Sequence, residues 1–345
     1  VTLRPIRQCY EATALTQPTS LIDPFGRSVD YLRLSVTDRC NLRCTYCMAE
    51  EMTFLPKQQI LSLEELRDAA TAFVELGIRK IRLTGGEPLI RRDILKLVSS
   101  LSALPGLDEL TMTTNGLLLP TMAQPLKDAG ISRLNISVDS LKAERFKQLT
   151  RVGDLSQVLE GIHAANAVGF GKIKLNAVIL AGFNDDEVID LARFAVDNGM
   201  DISFIEEMPL GEISSHKRVN TQITSAQIHE QLAAQFTMVD SAETTGGPSR
   251  YMRVANSDSK VGFISPMSNN FCESCNRVRM TAEGRLLLCL GNQDSLDLRE
   301  ILRSHPGDAE LLKHKIVQAI GNKPERHHFD PEQVDIVRFM NMTGG

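Results

Sequence analysis

From Tyr31 onward, apolar and polar positions recur in a unit of roughly 25–30 residues: a short β-branched run, a turn, then an amphipathic helix. Strand candidates start near Tyr31, Arg79, Asp108, Arg133, Lys172 and Asp201. Helix candidates between them span 63–76, 91–103, 119–129, 154–168 and 185–198. The first helix is announced by Ser62 with Glu65 three residues on, the signature of a capping box. Strands that alternate with helices pair in parallel through right-handed crossovers. Six such units occur and the pattern then stops, whereas a closed barrel has eight. The sequence therefore predicts an α/β fold with a six-unit partial (β/α) barrel over 25–209. An extension over 1–24, lying on the surface or mobile, precedes it, and a C-terminal region over 210–345 follows. Pro209, Gly211 and the polar run Ser214–Asn220 mark the second boundary.

Side chains alternate faces along a strand. One face of each candidate is apolar, as in Leu32, Leu34 and Val36, or Ile81 and Leu83, or Leu134, Ile136 and Val138, or Ile173, Leu175 and Ala177. That face is expected to meet the helices. The opposite face is polar: Arg33, Ser35 and Thr37; Lys80, Arg82 and Thr84; Thr111, Thr113 and Asn115; Asn135, Ser137 and Asp139; Lys172, Lys174 and Asn176. A packed barrel interior is Val-, Ile- and Leu-rich. Burying unpaired neutral polar groups costs roughly 2–7 kcal/mol each. A wet cavity for a large, polar, anionic ligand resolves the conflict. An antiparallel sheet with one solvated face would show the same alternation, but regular intervening helices argue against it.

Composition changes the picture in three ways. The 345 residues, 42% apolar and 23% charged, suit a globular chain with a sizeable core. No run of 18 apolar residues occurs, and residues 1–8 lack an apolar leader, so neither a membrane span nor a secretory signal is expected. A net charge of −5, no tryptophan and four tyrosines argue against a nucleic-acid surface, while leaving room for a local cationic pocket. The seven cysteines are an odd number in a chain without a recognisable leader, which predicts reduced thiols and a cytoplasmic setting. Six of them fall in two tight groups, which points to metal or catalysis. Cys9 has no partner motif, and His327 and His328 show no ligand spacing.

Cys40, Cys44 and Cys47 form C-x3-C-x2-C directly after the first strand, where barrel enzymes place their chemistry. Three thiolates without a nearby histidine leave a zinc site one ligand short but suit a cuboidal iron–sulfur cluster with one open iron. Zinc completed from afar and buried structural cysteines are the alternatives. Thr84-Gly85-Gly86-Glu87-Pro88 closes the second strand candidate, where paired glycines allow close backbone approach. Thr114-Asn115-Gly116 reads as a common turn. Cys272, Cys275 and Cys289 form C-x2-C-x13-C. If the intervening stretch is extended, Arg277 and Arg279 share a face and make an anion trap with directed donors. A zinc knuckle with solvated arginines fits that group alone equally well.

The C-x3-C-x2-C group, with Tyr46 before its last cysteine, resembles the signature of the radical S-adenosylmethionine superfamily. Together with T-G-G-E-P, the polar-faced strands, C-x2-C-N-R-x-R and the closing Gly344-Gly345, the chain from about Phe25 onward is similar to the GTP 3′,8-cyclase family. That resemblance implies two 4Fe-4S clusters, the first on Cys40, Cys44 and Cys47 and the second on Cys272, Cys275 and Cys289 in the C-terminal region. It implies S-adenosylmethionine contacts at Tyr46, Gly86, Ser137 and Met208. GTP contacts fall on Arg33, Arg82, Thr113, Lys174, Arg277 and Arg279, the first four of which lie on the polar face deduced above. Catalytic roles fall on Arg277, Arg279 and a tail, Gly344 and Gly345, that enters the active site. The implied reaction is the first step of molybdenum cofactor biosynthesis. A 5′-deoxyadenosyl radical takes hydrogen from C3′ of GTP, C3′ joins C8, and an electron and a proton complete 3′,8-cyclo-7,8-dihydro-GTP.

Family partners would be an electron donor such as a flavodoxin, a second copy in a homodimer, and the pyranopterin monophosphate synthase that takes the product. Many relatives carry arginine where this chain has Ser203, which removes one inward cation. Two other readings compete. One is a radical enzyme that modifies peptides or proteins with an auxiliary cluster. The other is a zinc-bound interaction protein, which leaves the polar strand faces unexplained.

Overall fold

The computed structural model describes residues 20–213, 216, 218–243, 245–330 and 336–344. Cys9, Gly345 and part of the Ser214–Asn220 run lie outside them. β1 (Leu21–Ile22) and β2 (Ser28–Val29) form a small antiparallel hairpin. Its Leu21 and Asp23 are buried, while Ile22 and Pro24 are exposed.

Six strands then follow in chain order: β3 (Tyr31–Ser35), β4 (Lys80–Thr84), β5 (Glu109–Thr114), β6 (Arg133–Ser137), β7 (Lys172–Ile179) and β8 (Asp201–Glu206). Each pairs in parallel with the next. The crossover helices are α1 (Leu63–Glu75), α2 (Ile94–Ser102), α3 (Leu119–Asp128), α4 (Ala143–Thr150), α5 (Leu155–Val168) and α6 (Val188–Asp197). The Ser62 hydroxyl accepts from Glu65 N at 3.1 Å, and the Glu65 carboxylate accepts from Ser62 N at 2.7 Å, so the capping box starts α1 as predicted. The sequence reading missed α4. Its eight residues are rich in charge, and only Phe146, Leu149 and Thr150 are buried.

Beyond α7 (Ser225–Ala233) come β9 (Met238–Asp240), β10 (Arg250–Val254), β11 (Lys260–Ile264), β12 (Arg277–Met280), β13 (Arg285–Leu287) and β14 (Ser295–Asp297). The chain continues through α8 (Leu298–Ser304) and α9 (Ala309–Ile320) to α10 (Met340–Thr343). These later strands enter the same sheet, whose order is β14-β13-β12-β3-β4-β5-β6-β7-β8-β11-β10-β9. β12 lies parallel to β3 and β11 parallel to β8. Six strands from the repeating unit and these two make eight parallel neighbours.

Alternation sets what each face does. Leu32, Leu34, Ile81, Leu83, Leu134, Ile136, Leu175, Ile202 and Phe204 are fully buried beneath the helices, in one continuous core. Each such side chain contributes about 1.5–3 kcal/mol through burial. The other face carries the polar set. At the first residues of β4 to β8 this face is ion-paired: Lys80 with Glu109 at 2.5 Å, Glu109 also with Arg133, and Lys172 with Asp201 at 3.5 Å. Two residues further along, Arg82 and Lys174 meet hydroxyls instead.

Candidate active site

The first cysteine group sits in the loop after β3. Arg43 N and Thr45 N donate to the carbonyls of Thr150 and Leu149 at 3.0 and 2.9 Å, fastening the loop to the end of α4. Within it, Cys47 N donates to Cys44 O at 3.0 Å. The Tyr46 hydroxyl donates to Asp139 Oδ2 at 2.7 Å, while Asp139 Oδ1 accepts from Val178 N at 2.8 Å. Burial pushes the Asp139 carboxyl up to about 6 against those two bonds. All three thiols are free. Burial raises Cys40 to about 11 and Cys47 to about 12, and Cys44 well above the usual thiol range. For Cys44 and Cys47, charge on the neighbouring cysteines adds to that rise, so the three lie within electrostatic reach of one another. A bound cationic centre reverses this balance by holding thiolates.

The T-G-G-E-P turn is built onto that loop. A Cβ on Gly86 would lie 2.1 Å from Arg39 O, and one on Gly85, whose φ is +148°, would lie 2.4 Å from Thr37 O. The close approach that needs glycine is therefore to the stem of the cysteine loop itself. Gly86 N and Glu87 N donate to Thr37 O and Arg39 O at 2.9 and 2.8 Å. The buried Glu87 carboxylate accepts from Leu89 N, Thr114 Oγ1 and Asn115 N at 2.7–2.9 Å. Asn115 Nδ2 reaches Asn41 Oδ1 at 2.7 Å and Cys40 Sγ at 3.9 Å. Thr114-Asn115-Gly116 thus does more than turn the chain, because it braces the cysteine loop.

The polar strand face opens on a central cavity. Arg33, Arg82, Lys174, Arg277 and Arg279 line it, and among the described residues no carboxylate does. Arg82 Nε donates to Tyr31 OH at 2.5 Å and Lys174 Nζ to Tyr251 OH at 3.2 Å. Burial lowers Arg33 to about 10, with repulsion from Arg82 and Arg277 beside it, and holds Arg279 well below its usual range. Tyr31 falls to about 7: burial opposes ionisation, but Arg82, Arg33 and Lys80 outweigh it. Arg277 Nε and Asn176 Oδ1 are buried without a hydrogen-bond partner. A cation-rich cavity with an unused guanidinium donor is built for a polyanion.

The second cysteine group forms the cavity wall. Cys272 opens a 3-10 turn, and Cys275 N donates to Cys272 O at 3.1 Å. The antiparallel pairing of β12 with β13 folds Cys289 back, so that all three cysteines line the cavity with Arg277 and Arg279. Burial opposes ionisation of Cys275, yet Arg277 and Lys323 hold its thiol below the usual value. Among the described residues, no three His, Cys, Asp or Glu side chains gather about one point as a mononuclear metal site requires. A cuboidal cluster takes each thiolate on a different iron, so three spread thiols are compatible with it.

The tail closes the site. Met340 N donates to Cys47 O at 3.3 Å, and Asn341 Nδ2 to Asp38 O at 2.8 Å. Arg279 donates to the carbonyl of Gly344. Of the positions singled out for S-adenosylmethionine, Met208 lines the cavity. Tyr46 belongs to the cysteine loop, Gly86 packs on it, and Ser137 ends β6. Thr113 is half-buried beside the lining residue Arg82 and accepts from it at 3.4 Å. Ser203, buried, bonds Ser249 Oγ at 2.9 Å. Sequence reasoning missed Tyr31 and Tyr251 as partners of the cations, although alternation from Arg33 puts Tyr31 on the inward face. It also missed His327, which lines the cavity beside Gly291. No helix among the described residues is long and apolar enough to cross a membrane.

The family described as the radical SAM superfamily matches residues 34–195, and Molybdenum Cofactor Synthesis C matches 200–329. The GTP 3′,8-cyclase of Pseudomonas putida (strain W619) is 62% identical over 94% of this chain and 98% of that protein. That of Pseudomonas entomophila (strain L48) is 61% identical over 95% and 99%. Among solved structures, Streptococcus suis SuiB bound to S-adenosylmethionine aligns over 83% of this chain and 68% of its own, with a TM-score of 0.59 and 16% identity, a likeness of fold.

Proposed function

Because the chain belongs to the GTP 3′,8-cyclase family of the radical S-adenosylmethionine superfamily, we propose that its two cysteine groups and the cations between them form one active site for GTP. The enzyme converts GTP to 3′,8-cyclo-7,8-dihydro-GTP, the first step of molybdenum cofactor biosynthesis. Superfamily membership carries a 4Fe-4S cluster and S-adenosylmethionine, which when bound supply the radical that initiates the reaction.

Cys40, Cys44 and Cys47 would hold that cluster, and the fit is chemical: three free thiols on one braced loop. Cys272, Cys275 and Cys289 would hold a second 4Fe-4S cluster against the same cavity. The eight parallel strands, curved around that cavity, serve as a partial barrel, with 210–345 as the region that completes the GTP site. Tyr46, Gly86, Ser137 and Met208 are assigned to S-adenosylmethionine. Arg33, Arg82, Lys174 and Thr113 are assigned to GTP, Thr113 acting by orienting Arg82. Arg277 and Arg279 are assigned to GTP and, with Gly344 and Gly345, to catalysis. The residues' share of the chemistry is to bind the triphosphate, orient C3′ toward the first loop, and exclude water.

The observation that carries this reading is the set of five cations that, with no carboxylate among the described lining residues, share a cavity with Cys272, Cys275 and Cys289, a cavity whose Met340 bonds the Cys47 carbonyl. A polyphosphate suits it better than a peptide, and the peptide-modifying alternative is set aside. A flavodoxin-type electron donor, a homodimer, a cytoplasmic setting and delivery of product to a pyranopterin monophosphate synthase belong to the same proposal. The test is anaerobic incubation of the protein with dithionite, S-adenosylmethionine and GTP, followed by mass spectrometry. Both 5′-deoxyadenosine and cyclised GTP are expected. Deoxyadenosine without any change to GTP would overturn the assignment of the cavity to GTP.

A further inference from the structure

The strand register gathers basic side chains on three neighbouring strands. On the polar face β12 supplies Arg277 and Arg279, β3 supplies Tyr31 and Arg33, and β4 supplies Lys80 and Arg82. The pairing sets them in two rows. Arg277, Tyr31 and Lys80 lie side by side, and Arg279, Arg33 and Arg82 lie side by side two residues further along. Five of these six positions are cationic, and Tyr31 is the sixth. Like charges placed directly opposite one another on a sheet repel. Glu109 on β5 comes next in the row after Lys80, and Lys80 and Arg133 share its carboxylate.

Tyr31 is seated in this block as an acceptor. It is 2% exposed, lines the cavity, and accepts from Arg82 Nε on its hydroxyl at 2.5 Å. Lys80 Nζ stands 5.2 Å from its ring centroid. Arg33 beside it on β3, Arg277 and Arg279 on β12, and Lys174 on β7 with its partner Tyr251 on β10 complete the titratable groups around it. The carboxylate of Asp30, next in the chain, is engaged by Asn276 at 2.7 Å. A phenol oxygen that accepts from a guanidinium among further cations gains most in its ionised form. Burial opposes ionisation, yet Arg82, Arg33 and Lys80 bring Tyr31 down to about 7.

We propose that Tyr31 is a further binding residue of the GTP site, a phenolate counter-ion to the block of cations in the vacant cavity that takes up a proton when a triphosphate assumes that role. This rests on the reading that the cavity binds GTP. A triphosphate beside the same cations sets a like charge against the phenolate, which favours the neutral phenol. The proton comes from solvent and goes to Tyr31 Oη. The neutral hydroxyl still accepts from Arg82 and gains a hydrogen to donate to a phosphate oxygen. Affinity is therefore highest below about pH 7 and weakens as pH rises, because above that value each binding event must also take up a proton.

The test uses the full chain, anaerobically reconstituted and without S-adenosylmethionine, so that GTP binds and does not react. Isothermal titration at pH 8 in two buffers of different ionisation enthalpy counts the protons taken up per GTP. The parent should take up about 0.9 proton more than Tyr31→Phe, whose titration subtracts the proton exchange of GTP itself and of every other group. Between pH 7 and pH 8 the parent's affinity should fall about fivefold relative to that of Tyr31→Phe. Equal proton counts in the two proteins overturn the proposal. If Tyr31→Phe does not fold, the ultraviolet tyrosinate absorbance of the parent at pH 8 decides. It should diminish when GTP is added, and an unchanged band overturns the proposal. A reconstituted parent that carries iron but binds no GTP refutes the GTP reading itself, and this proposal with it.

Discussion

Arg279 on β12 holds the carbonyl of Gly344, so the last described residue of the chain is tied to a cation of the central cavity. The tail reaches that point through a narrow gap. Gly344 has φ +77°, and a Cβ there would sit 2.0 Å from Thr84 Oγ1. Gly344→Ala is therefore expected to dislodge the tail end while sparing the core. Steady-state assays should show cyclisation falling tenfold or more, with the melting temperature changed little. Equal loss of stability and activity would mean that the tail is merely part of the fold.

Arg277 lines the cavity and carries a buried, unused donor. A hydrogen bond to a charged group contributes about 1.5–3 kcal/mol. Isothermal titration with GTP should accordingly show Arg277→Ala binding roughly ten- to hundredfold more weakly. Unchanged affinity would remove Arg277 from the GTP site.

Cys289 reaches the cavity only because β13 turns the chain back along β12. Cys289→Ala should abolish cyclisation and lower the iron content, while some reductive cleavage of S-adenosylmethionine persists at the loop of Cys40, Cys44 and Cys47. Full retention of cyclisation would refute the second-cluster assignment.

Burial pushes the Glu87 carboxyl from an ordinary 4.5 to about 7, despite three donors. Because the folded value is raised, the folded state holds the proton more tightly than the unfolded chain between those two values. Stability from this group is thus fully present below about 4.5 and declines as pH rises toward 7. Melting curves of the metal-free protein across that window should show the decline. Glu87→Gln should flatten it, even if its melting temperature is lower throughout. A parallel slope in both proteins would rule Glu87 out as its source.

Ser203 stands where the family resemblance leads one to expect an arginine, and its surroundings are tightly filled. Ser203 is fully buried against Ser249. A Cβ added at the facing Gly262 would meet both serines and Tyr251 within 2.9 Å. Ser203→Arg alone should cost about 1–3 kcal/mol or more in urea unfolding, through overpacking. Trimming Ser249 to Gly in the same chain should recover part of it. A neutral Ser203→Arg would show that the slot is roomier than its neighbours imply.

The periodic part of the chain was readable because its two signals agree. Strand alternation set Arg33, Arg82 and Lys174 on one face, and the structure brings them to one cavity. The cysteine spacings located both loops, since three thiols that close together have few other uses. What stayed hidden depended on contacts distant in sequence. β11 and β12 are short, and only their parallel pairing with β8 and β3 makes them part of the central sheet. Lys80 and Lys172 looked like cavity cations, but Glu109 and Asp201 on neighbouring strands neutralise them. Lys323 gave no signal at all, because its partner Asp23 lies three hundred residues away.

The ion-paired first layer of the sheet has a consequence for depth. Lys80, Glu109, Arg133, Lys172 and Asp201 each begin a strand, and there the three cations are ion-paired with the two acids. Above that floor the described cavity lining carries five cations and no carboxylate. An anion drawn inward thus meets a rising attraction that stops at a fixed level, one layer up from the strand starts. How far a triphosphate sinks is then decided by where the acids are placed along the strands, much as a ruler's zero is set by its end stop.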